Sequence, residues 1–231
     1  MVSIHRAKLA VEGAAVDAVT AAIHEPTRRY RPAVLLMPGA GGDLDGDGLV
    51  ALADTLADLR HPVVRANLPH QEAGRSAPRA DRSVPAYLQL FEAARKELGG
   101  RLPWIAGGKS YGGRVASMAA AQGMDVSGLI FYGYPLHPPG KPDRLRVDHW
   151  PRVRVPCLFL QGDRDPFCDL SLLEHCVRKL PRRATVHVVA GGDHSLRVTG
   201  AASPTGSPSA PAATVASLRD VLQSWIASLA A

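Results

Sequence analysis

The chain has 231 residues, 46% of them hydrophobic and 21% charged, with a net charge of +6 at pH 7. This length fits one α/β domain with a sizeable core and is short for two. The 27 Lys and Arg residues are scattered rather than gathered into a stripe, so nucleic-acid binding is not expected. No run reaches the ~18 apolar residues of a membrane span. With no signal-peptide pattern and three cysteines without metal-ligand spacing, the composition predicts a cytoplasmic protein.

Apolar runs and helical stripes alternate along the first half of the chain. The continuous apolar run 33–37 is typical of a strand buried on both faces. Before it we predict strands over residues 7–11 and 16–23 and a polar turn over 25–31. After it the pattern predicts a helix over 49–59, a strand over 62–66, a polar loop over 67–83 and a helix over 84–98.

The second half repeats this alternation. The predicted elements are a strand over 102–106, a helix from Ser110 to about 122, strands over 128–132, 157–161 and 184–189, and a helix over 171–179. Residues 200–213 contain only Ala, Ser, Pro, Gly and Thr and predict a flexible loop. An amphipathic helix over 215–229 closes the chain. The alternation predicts one α/β domain with a mostly parallel sheet covered on both faces, whose functional loops follow the carboxyl ends of the strands.

One turn between a strand and a helix has the pattern of a nucleophile. Residues 108–112 read G-K-S-Y-G and fit G-x-S-x-G, in which a tight turn presents a serine hydroxyl above the sheet. Such a backbone conformation costs about 1–3 kcal/mol and needs support from its surroundings. The same residues could end a phosphate-binding loop, G-x-x-x-x-G-K-[ST], but that loop requires glycine where Pro103 stands. Ser110 is therefore the candidate nucleophile.

A serine nucleophile needs a general base, and the base needs an acid that orients it. In folds of this kind the chain order is Ser, then Asp or Glu, then His. His194 lies in a glycine-led loop after the last predicted strand and is the candidate base. Asp163 and Asp165 both follow an earlier strand; we favour Asp165 and assign Asp163 to loop capping, with the choice left open. Asp193 is expected to brace the histidine loop.

Two backbone amides are the candidate oxyanion donors. One belongs to Tyr111, the residue after the nucleophile, and the other to Ala40 in the glycine-rich loop 38–42. Gly41 of the same loop is expected to line the substrate pocket.

The proline-rich segment 134–150 follows a predicted strand and shows no clear period. We expect it to form one wall of a shallow, open pocket, with Tyr134 and His137 near the mouth. The alternative is a loop that only packs over the sheet.

Residues 43–50 partly match a calcium-binding loop, D-x-D-x-D-G, with Asp54 at its twelfth position. However, a strand precedes these residues instead of a helix, and aspartate reaches less far than the usual glutamate. We therefore expect the aspartates to cap and charge-match the helix 49–59. No metal or organic cofactor is predicted.

These motifs together resemble the α/β-hydrolases, and in particular dienelactone-hydrolase-like proteins. The chain is most similar to the bacterial branch of the family that includes the testis-expressed protein 30 type and the third subunit of the NSL histone-acetyltransferase regulatory complex. Two departures stand out: the oxyanion loop begins Pro-Gly where relatives often have His-Gly, and the nucleophile is serine where dienelactone hydrolases use cysteine. The resemblance is carried by residues 36–42, 107–114, 131–142, 160–167 and 192–195.

The resemblance implies an α/β-hydrolase fold with little or no cap domain. Together with the motifs it predicts a carboxylesterase-like serine hydrolase that cleaves a small ester or related acyl bond through an acyl-enzyme. Ser110 would attack, His194 would move the proton and Asp165 would hold the imidazole. Some relatives act as scaffold subunits, so a non-catalytic scaffold or protein-binding module is the alternative. Acyl length, the type of bond cleaved and oligomeric state are not determined by the sequence.

Overall fold

The computed structural model describes residues 1–99, 102–198 and 210–229. Its strands are β1 (Val2–Ala10), β2 (Ala18–Pro26), β3 (Ala33–Met37), β4 (Val63–Ala66), β5 (Trp104–Lys109), β6 (Gly128–Tyr132), β7 (Cys157–Gly162) and β8 (Ala184–Val189). Its helices are α1 (Asp47–Asp58), α2 (Pro69–Glu72), α3 (Val84–Glu97), α4 (Tyr111–Ala120), α5 (Leu170–Val177), α6 (Pro211–Ala216) and α7 (Arg219–Ala227). Short 3₁₀ turns occupy Ala80–Ser83 and Trp150–Arg152.

All eight strands belong to one sheet in the order β1-β2-β4-β3-β5-β6-β7-β8. The β1–β2 and β2–β4 pairs are antiparallel, and every pair from β4 to β8 is parallel. This arrangement confirms the predicted mostly parallel α/β sheet. Between β6 and β7, residues 133–156 contain only one 3₁₀ turn, so this connection builds no separate cap domain.

Helices cover both faces of the sheet. Leu35 of β3 packs in a core with α3 and α4, whereas its neighbour Leu36 packs in a second core with α1 and α7. Because successive side chains of a strand point to opposite faces, a strand buried on both sides must be apolar throughout. This explains why the run 33–37 identified β3 in the sequence. No helix in the described parts of the chain is long and apolar enough to cross a membrane.

The observed bounds of β3, β6 and β8 agree with the predicted ones, whereas those of other strands and helices differ. The first strand is longer than predicted and the second is shifted: β2 begins at Ala18 and runs to Pro26, into the predicted polar turn, because it pairs with β1 from Val2 onward. The predicted polar loop 67–83 contains α2 and a 3₁₀ turn.

The C-terminal prediction was also incomplete. Two helices, α6 and α7, replace the single helix expected over 215–229. In the predicted flexible loop, residues 200–209 lie outside the described chain, whereas residues 211–213 belong to α6. Pro211 is the first residue of α6, where its fixed backbone angle favours helix initiation.

Glycines at the end of β5 allow the neighbouring strands to approach it closely. A Cβ atom at Gly107 would overlap the carbonyl oxygen of Ile130 in β6. A Cβ at Gly108, where φ is +144°, would overlap the carbonyl oxygen of Met37 in β3. The end of β5, just before Ser110, therefore packs closely against both β3 and β6.

We predict that Gly107→Ala destabilises the fold by about 1–3 kcal/mol, because the added methyl group forces two paired strands apart. Urea unfolding followed by circular dichroism measures the change in midpoint. Gly41→Ala is the matched control, since a Cβ there meets nothing within 4 Å. Equal unfolding midpoints for the two variants would contradict the close-approach account.

Candidate active site

Ser110 lies in the turn between β5 and α4, with φ +49° and ψ −110°. A positive φ is unfavourable for a residue with a side chain, so the surrounding structure must hold it in place. The Ser110 amide donates to the Tyr132 carbonyl at 2.9 Å, which ties the turn to the end of β6. Gly112 has no room for a Cβ because the Met37 carbonyl lies against it. The G-x-S-x-G pattern therefore corresponds to a strained turn under close contact.

The turn presents the Ser110 hydroxyl to His194. The Ser110 Oγ lies 2.8 Å from His194 Nε2, and His194 Nδ1 lies 2.7 Å from Asp165 Oδ2. The carboxylate of Asp165 is fully buried, whereas the histidine side chain remains 19% exposed. These distances are those of a nucleophile, a general base and an orienting acid in hydrogen-bond contact.

The structure places Asp165, rather than Asp163, against the histidine. Asp163 accepts a hydrogen bond from the Gly191 amide at 2.7 Å and so joins the loops that follow β7 and β8. Asp165 accepts a second hydrogen bond at Oδ2 from Gln161 Nε2, at 2.6 Å. The amide of Phe167 donates to its other oxygen at 2.8 Å. The carboxylate is therefore oriented from both sides.

Gln161 was missed by the sequence analysis. Its amide side chain is fully buried at the end of β7, where it donates to Asp165 and accepts from the Tyr134 amide at 2.9 Å. A polar residue at the end of an otherwise apolar strand was the available signal, because a buried amide requires partners.

The loop that carries His194 is fixed by its own side chains. Asp193 Oδ1 accepts from the Ser195 amide at 2.7 Å and the Arg197 amide at 2.9 Å, the bracing role expected for it. The Tyr132 hydroxyl donates to the Ser195 carbonyl at 2.6 Å. The Phe167 ring also packs against the imidazole, with ring centres 4.4 Å apart.

The glycine-rich loop 38–42 lies beside the turn. A Cβ built on Gly39 would come within 3.7 Å of Ser110 Cβ, and the Gly112 amide donates to the Pro38 carbonyl at 3.1 Å. In the described chain, neither the Ala40 amide nor the Tyr111 amide donates to a protein acceptor. Both candidate oxyanion donors thus have no described protein acceptor, and both residues line the cavity beside Ser110.

Gln71, also missed by the sequence analysis, holds the loop 38–42 through hydrogen bonds. Its Nε2 donates to the Gly39 carbonyl at 2.8 Å and to the Gly42 carbonyl at 2.7 Å. Its Oε1 accepts from the Leu68 amide at 2.7 Å. One side chain from α2 therefore fixes both ends of the turn that contains Ala40. The two carbonyls in the loop are 32 and 29 residues away from Gln71 in sequence, so no local pattern could reveal them.

Burial shifts the pKa of several groups around the site. It lowers the pKa of Lys109, the residue before the nucleophile, while the negative fields of Asp193 and Asp165 oppose the shift. It raises the pKa of Tyr111, whose hydroxyl lies 2.8 Å from Ser83 Oγ and donates to the Pro78 carbonyl at 2.9 Å. These two hydrogen bonds hold the Tyr111 hydroxyl against Ser83 and Pro78.

A cavity of about 740 Å³ opens over Ser110 and His194. Gly41 lines it, as expected from the sequence. The segment between β6 and β7 contributes Pro135 and Arg146, so this segment does form part of the wall.

The predicted positions of Tyr134 and His137 at the mouth were wrong. Tyr134 is fully buried among aromatic rings, and its hydroxyl donates to the Arg146 carbonyl at 3.0 Å. His137 is also buried, and its Nε2 accepts from the Asp169 amide at 3.0 Å. Burying a large ring in the core stabilises the fold more than exposing it at a cavity mouth, which explains the difference.

The aspartates of residues 43–50 were predicted to cap and charge-match α1. Asp47 does lie in the first turn of the helix, where a negative charge is favourable. The N-cap, however, is Gly46, and no side chain caps the helix. Asp45 instead accepts from Arg6 at 2.8 Å and from Arg65 at 3.2 Å.

Comparisons with known proteins agree with the fold. A family model described as an alpha/beta hydrolase domain matches residues 30–219. Dienelactone hydrolase from Anabaena variabilis is 14% identical, with a TM-score of 0.74 over 97% of this chain and 96% of that one. An α/β serine hydrolase without a lid from Xanthomonas campestris is 20% identical, with a TM-score of 0.71 over 96% and 92%. Est1E from Butyrivibrio proteoclasticus is 14% identical, with a TM-score of 0.70 over 96% and 99%.

We predict that Gln71→Leu loosens the loop 38–42, because leucine has about the same length but can donate no hydrogen bond to the Gly39 and Gly42 carbonyls. The amides of this loop should exchange with deuterium at least about tenfold faster, since two net hydrogen bonds of about 1 kcal/mol each are lost. Gln122→Leu, at an exposed position after α4, is the control. Unchanged exchange in the loop would show that Gln71 does not hold it.

Proposed function

The chain belongs to the alpha/beta hydrolase domain family, and we propose that it is a carboxylesterase-like serine hydrolase acting on small esters or related acyl bonds. The observation that carries the proposal is the continuous hydrogen-bond path from Ser110 Oγ through both nitrogens of His194 to Asp165. Solved structures described as an esterase domain and as a serine hydrolase without a lid support it through the shared fold.

The reaction follows from this path. Ser110 Oγ attacks the carbonyl carbon of the ester while His194 Nε2 takes the hydroxyl proton, and the carbonyl electron pair moves to oxygen. Asp165 stabilises the imidazolium that forms and holds its tautomer. As the tetrahedral intermediate collapses, the proton passes from His194 to the departing alcohol and leaves an acyl group on Ser110. A water molecule, deprotonated by His194, then attacks the acyl group on Ser110. The second tetrahedral intermediate collapses, the proton returns to Ser110 Oγ, and the acid is released.

The oxyanion is assigned to the amides of Ala40 and Tyr111. Each donor contributes about 3 kcal/mol when it is aimed at the developing charge in a site of low dielectric. The amide of Tyr111 is also the first N–H of α4, where the helix dipole favours negative charge. The clamp by Gln71 prepares the Ala40 side of this pair before substrate binds.

The site is open, because the residues between β6 and β7 lie along one wall and do not cover it. We therefore assign small or partly exposed substrates to this site.

We further propose that the chain is related to the testis-expressed protein 30 type of α/β-hydrolase.

Labelling with a fluorophosphonate tests the nucleophile. We expect the wild-type protein to be labelled and Ser110→Ala to remain unlabelled, because only an activated serine attacks the phosphorus. His194→Ala should lower turnover of 4-nitrophenyl acetate at least about 10³-fold. The scaffold alternative would be favoured if the folded wild-type protein takes up no label and if wild type and His194→Ala hydrolyse 4-nitrophenyl acetate at the same background rate.

The two aspartates provide a matched pair of variants. Asp165→Asn should lower kcat about 10³- to 10⁴-fold, because the amide disfavours the required tautomer and cannot stabilise the imidazolium. Asp163→Asn should keep near wild-type kcat, since the asparagine oxygen still accepts from the Gly191 amide. Steady-state kinetics with 4-nitrophenyl acetate separates the two. Equal losses in both variants would reject the assignment of the acid.

A further inference from the structure

The cavity over Ser110 is lined by more basic than acidic side chains. Five basic side chains line it, against two exposed aspartates, Asp43 and Asp47. Two of the five are half-buried arginines that take no part in the mechanism above. The basic residues are Arg79, Lys109, Arg114, Arg146 and Arg197.

Arg114 is a half-buried cation with no ion-pair partner among the described residues. It lies one turn along α4 from the nucleophile, and its backbone amide donates to the Ser110 carbonyl at 3.0 Å. Its side-chain Nε is inaccessible to solvent and has no hydrogen-bond partner, and no described carboxylate forms an ion pair with its guanidinium. No described residue pairs with its charge, and since Arg114 lines the cavity, a bound anion would supply the missing partner.

Arg146 reaches the same cavity from the segment between β6 and β7. Its backbone is anchored, because its amide donates to the Leu136 carbonyl at 2.8 Å and its carbonyl accepts from Tyr134. Its guanidinium makes one long hydrogen bond, at 3.4 Å to the Pro135 carbonyl, and no ion pair with a described acidic residue.

The charge of Arg114 is felt at Arg146. Burial lowers the pKa of Arg146, and the positive field of Arg114 lowers it further. Like charges that line one cavity repel each other, and an anion bound in that cavity is attracted by both. A planar guanidinium offers parallel N–H donors that match the two oxygens of a carboxylate.

We propose that Arg114 and Arg146 form a subsite for a carboxylate, so that the natural substrate is an ester that also carries a free carboxylate group. The inference rests on the proposed serine hydrolase function and specifies its substrate class. Lys109 and the exposed Arg197 add to the field that draws such an anion into the cavity.

Matched pairs of substrates test the preference on each side of the scissile bond. For the acyl side, the 4-nitrophenyl monoester of adipic acid is compared with its terminal carboxamide, which has the same shape and no charge. For the alcohol side, 4-acetoxybenzoate is compared with 4-acetoxybenzamide. In at least one pair kcat/KM should favour the anion about tenfold or more, and this preference should fall as salt rises.

Variants assign the preference to the two arginines. Arg114→Gln and Arg146→Gln should each bring the ratio of the preferred pair close to one, whereas Arg146→Lys should retain part of it because the charge remains. Arg144→Gln removes the same charge from an exposed position of the same segment outside the cavity lining and should leave the ratio unchanged. Thermal unfolding checks that each variant is folded. If Arg114→Gln does not fold, the substrate ratio of Arg146→Gln alone decides the test.

Binding separates the subsite from the catalysis. Adipate should bind Ser110→Ala in calorimetry and bind at least about tenfold more weakly when Arg146→Gln is added. Hydrolysis of neutral esters with equal kcat/KM in both pairs and no adipate binding would overturn the subsite and leave the serine hydrolase proposal intact. Adipate binding that depends on Arg146, in a protein that hydrolyses no ester, would support the subsite and reject the hydrolase.

Discussion

The site depends on a serine backbone held at a positive φ by the strands around it. Ser110 cannot relax to a more favourable conformation without moving the end of β5, and β5 is in close contact with β3 and β6 through Gly107 and Gly108. The strain of about 1–3 kcal/mol is offset by the packing of the central sheet. Fold and candidate nucleophile are therefore linked, because the contacts that pair the strands also aim the hydroxyl.

The same rigidity extends outward along a chain of hydrogen bonds. From Ser110 it passes to His194 and Asp165, and then through Gln161 to the amide of Tyr134. These residues follow or end four neighbouring parallel strands, β5 to β8. Buried networks in which every member is satisfied favour a single geometry, so the imidazole is oriented before any substrate arrives.

The sequence predicted the parts of the molecule that depend on local rules. The apolar run of β3 and the glycine pattern around Ser110 are local signals, and the order of Asp165 and His194 reflects the topology of the sheet. Contacts between residues far apart in the sequence could not be predicted. Tyr134 packs into an aromatic core formed by distant strands, and Gln71 bonds to carbonyls far along the chain. Neither placement follows from periodicity or from the chemistry of neighbouring residues.

In the proposed mechanism Ser110 carries the acyl group, and trapping this intermediate tests the proposal most directly. The protein is mixed with excess 4-nitrophenyl acetate, quenched in acid and examined by intact mass and peptide mapping. We expect one acetyl group per chain, located on Ser110 and missing from Ser110→Ala. Turnover with no acetyl group on Ser110, or acetylation at another residue that accounts for the turnover, would contradict the account.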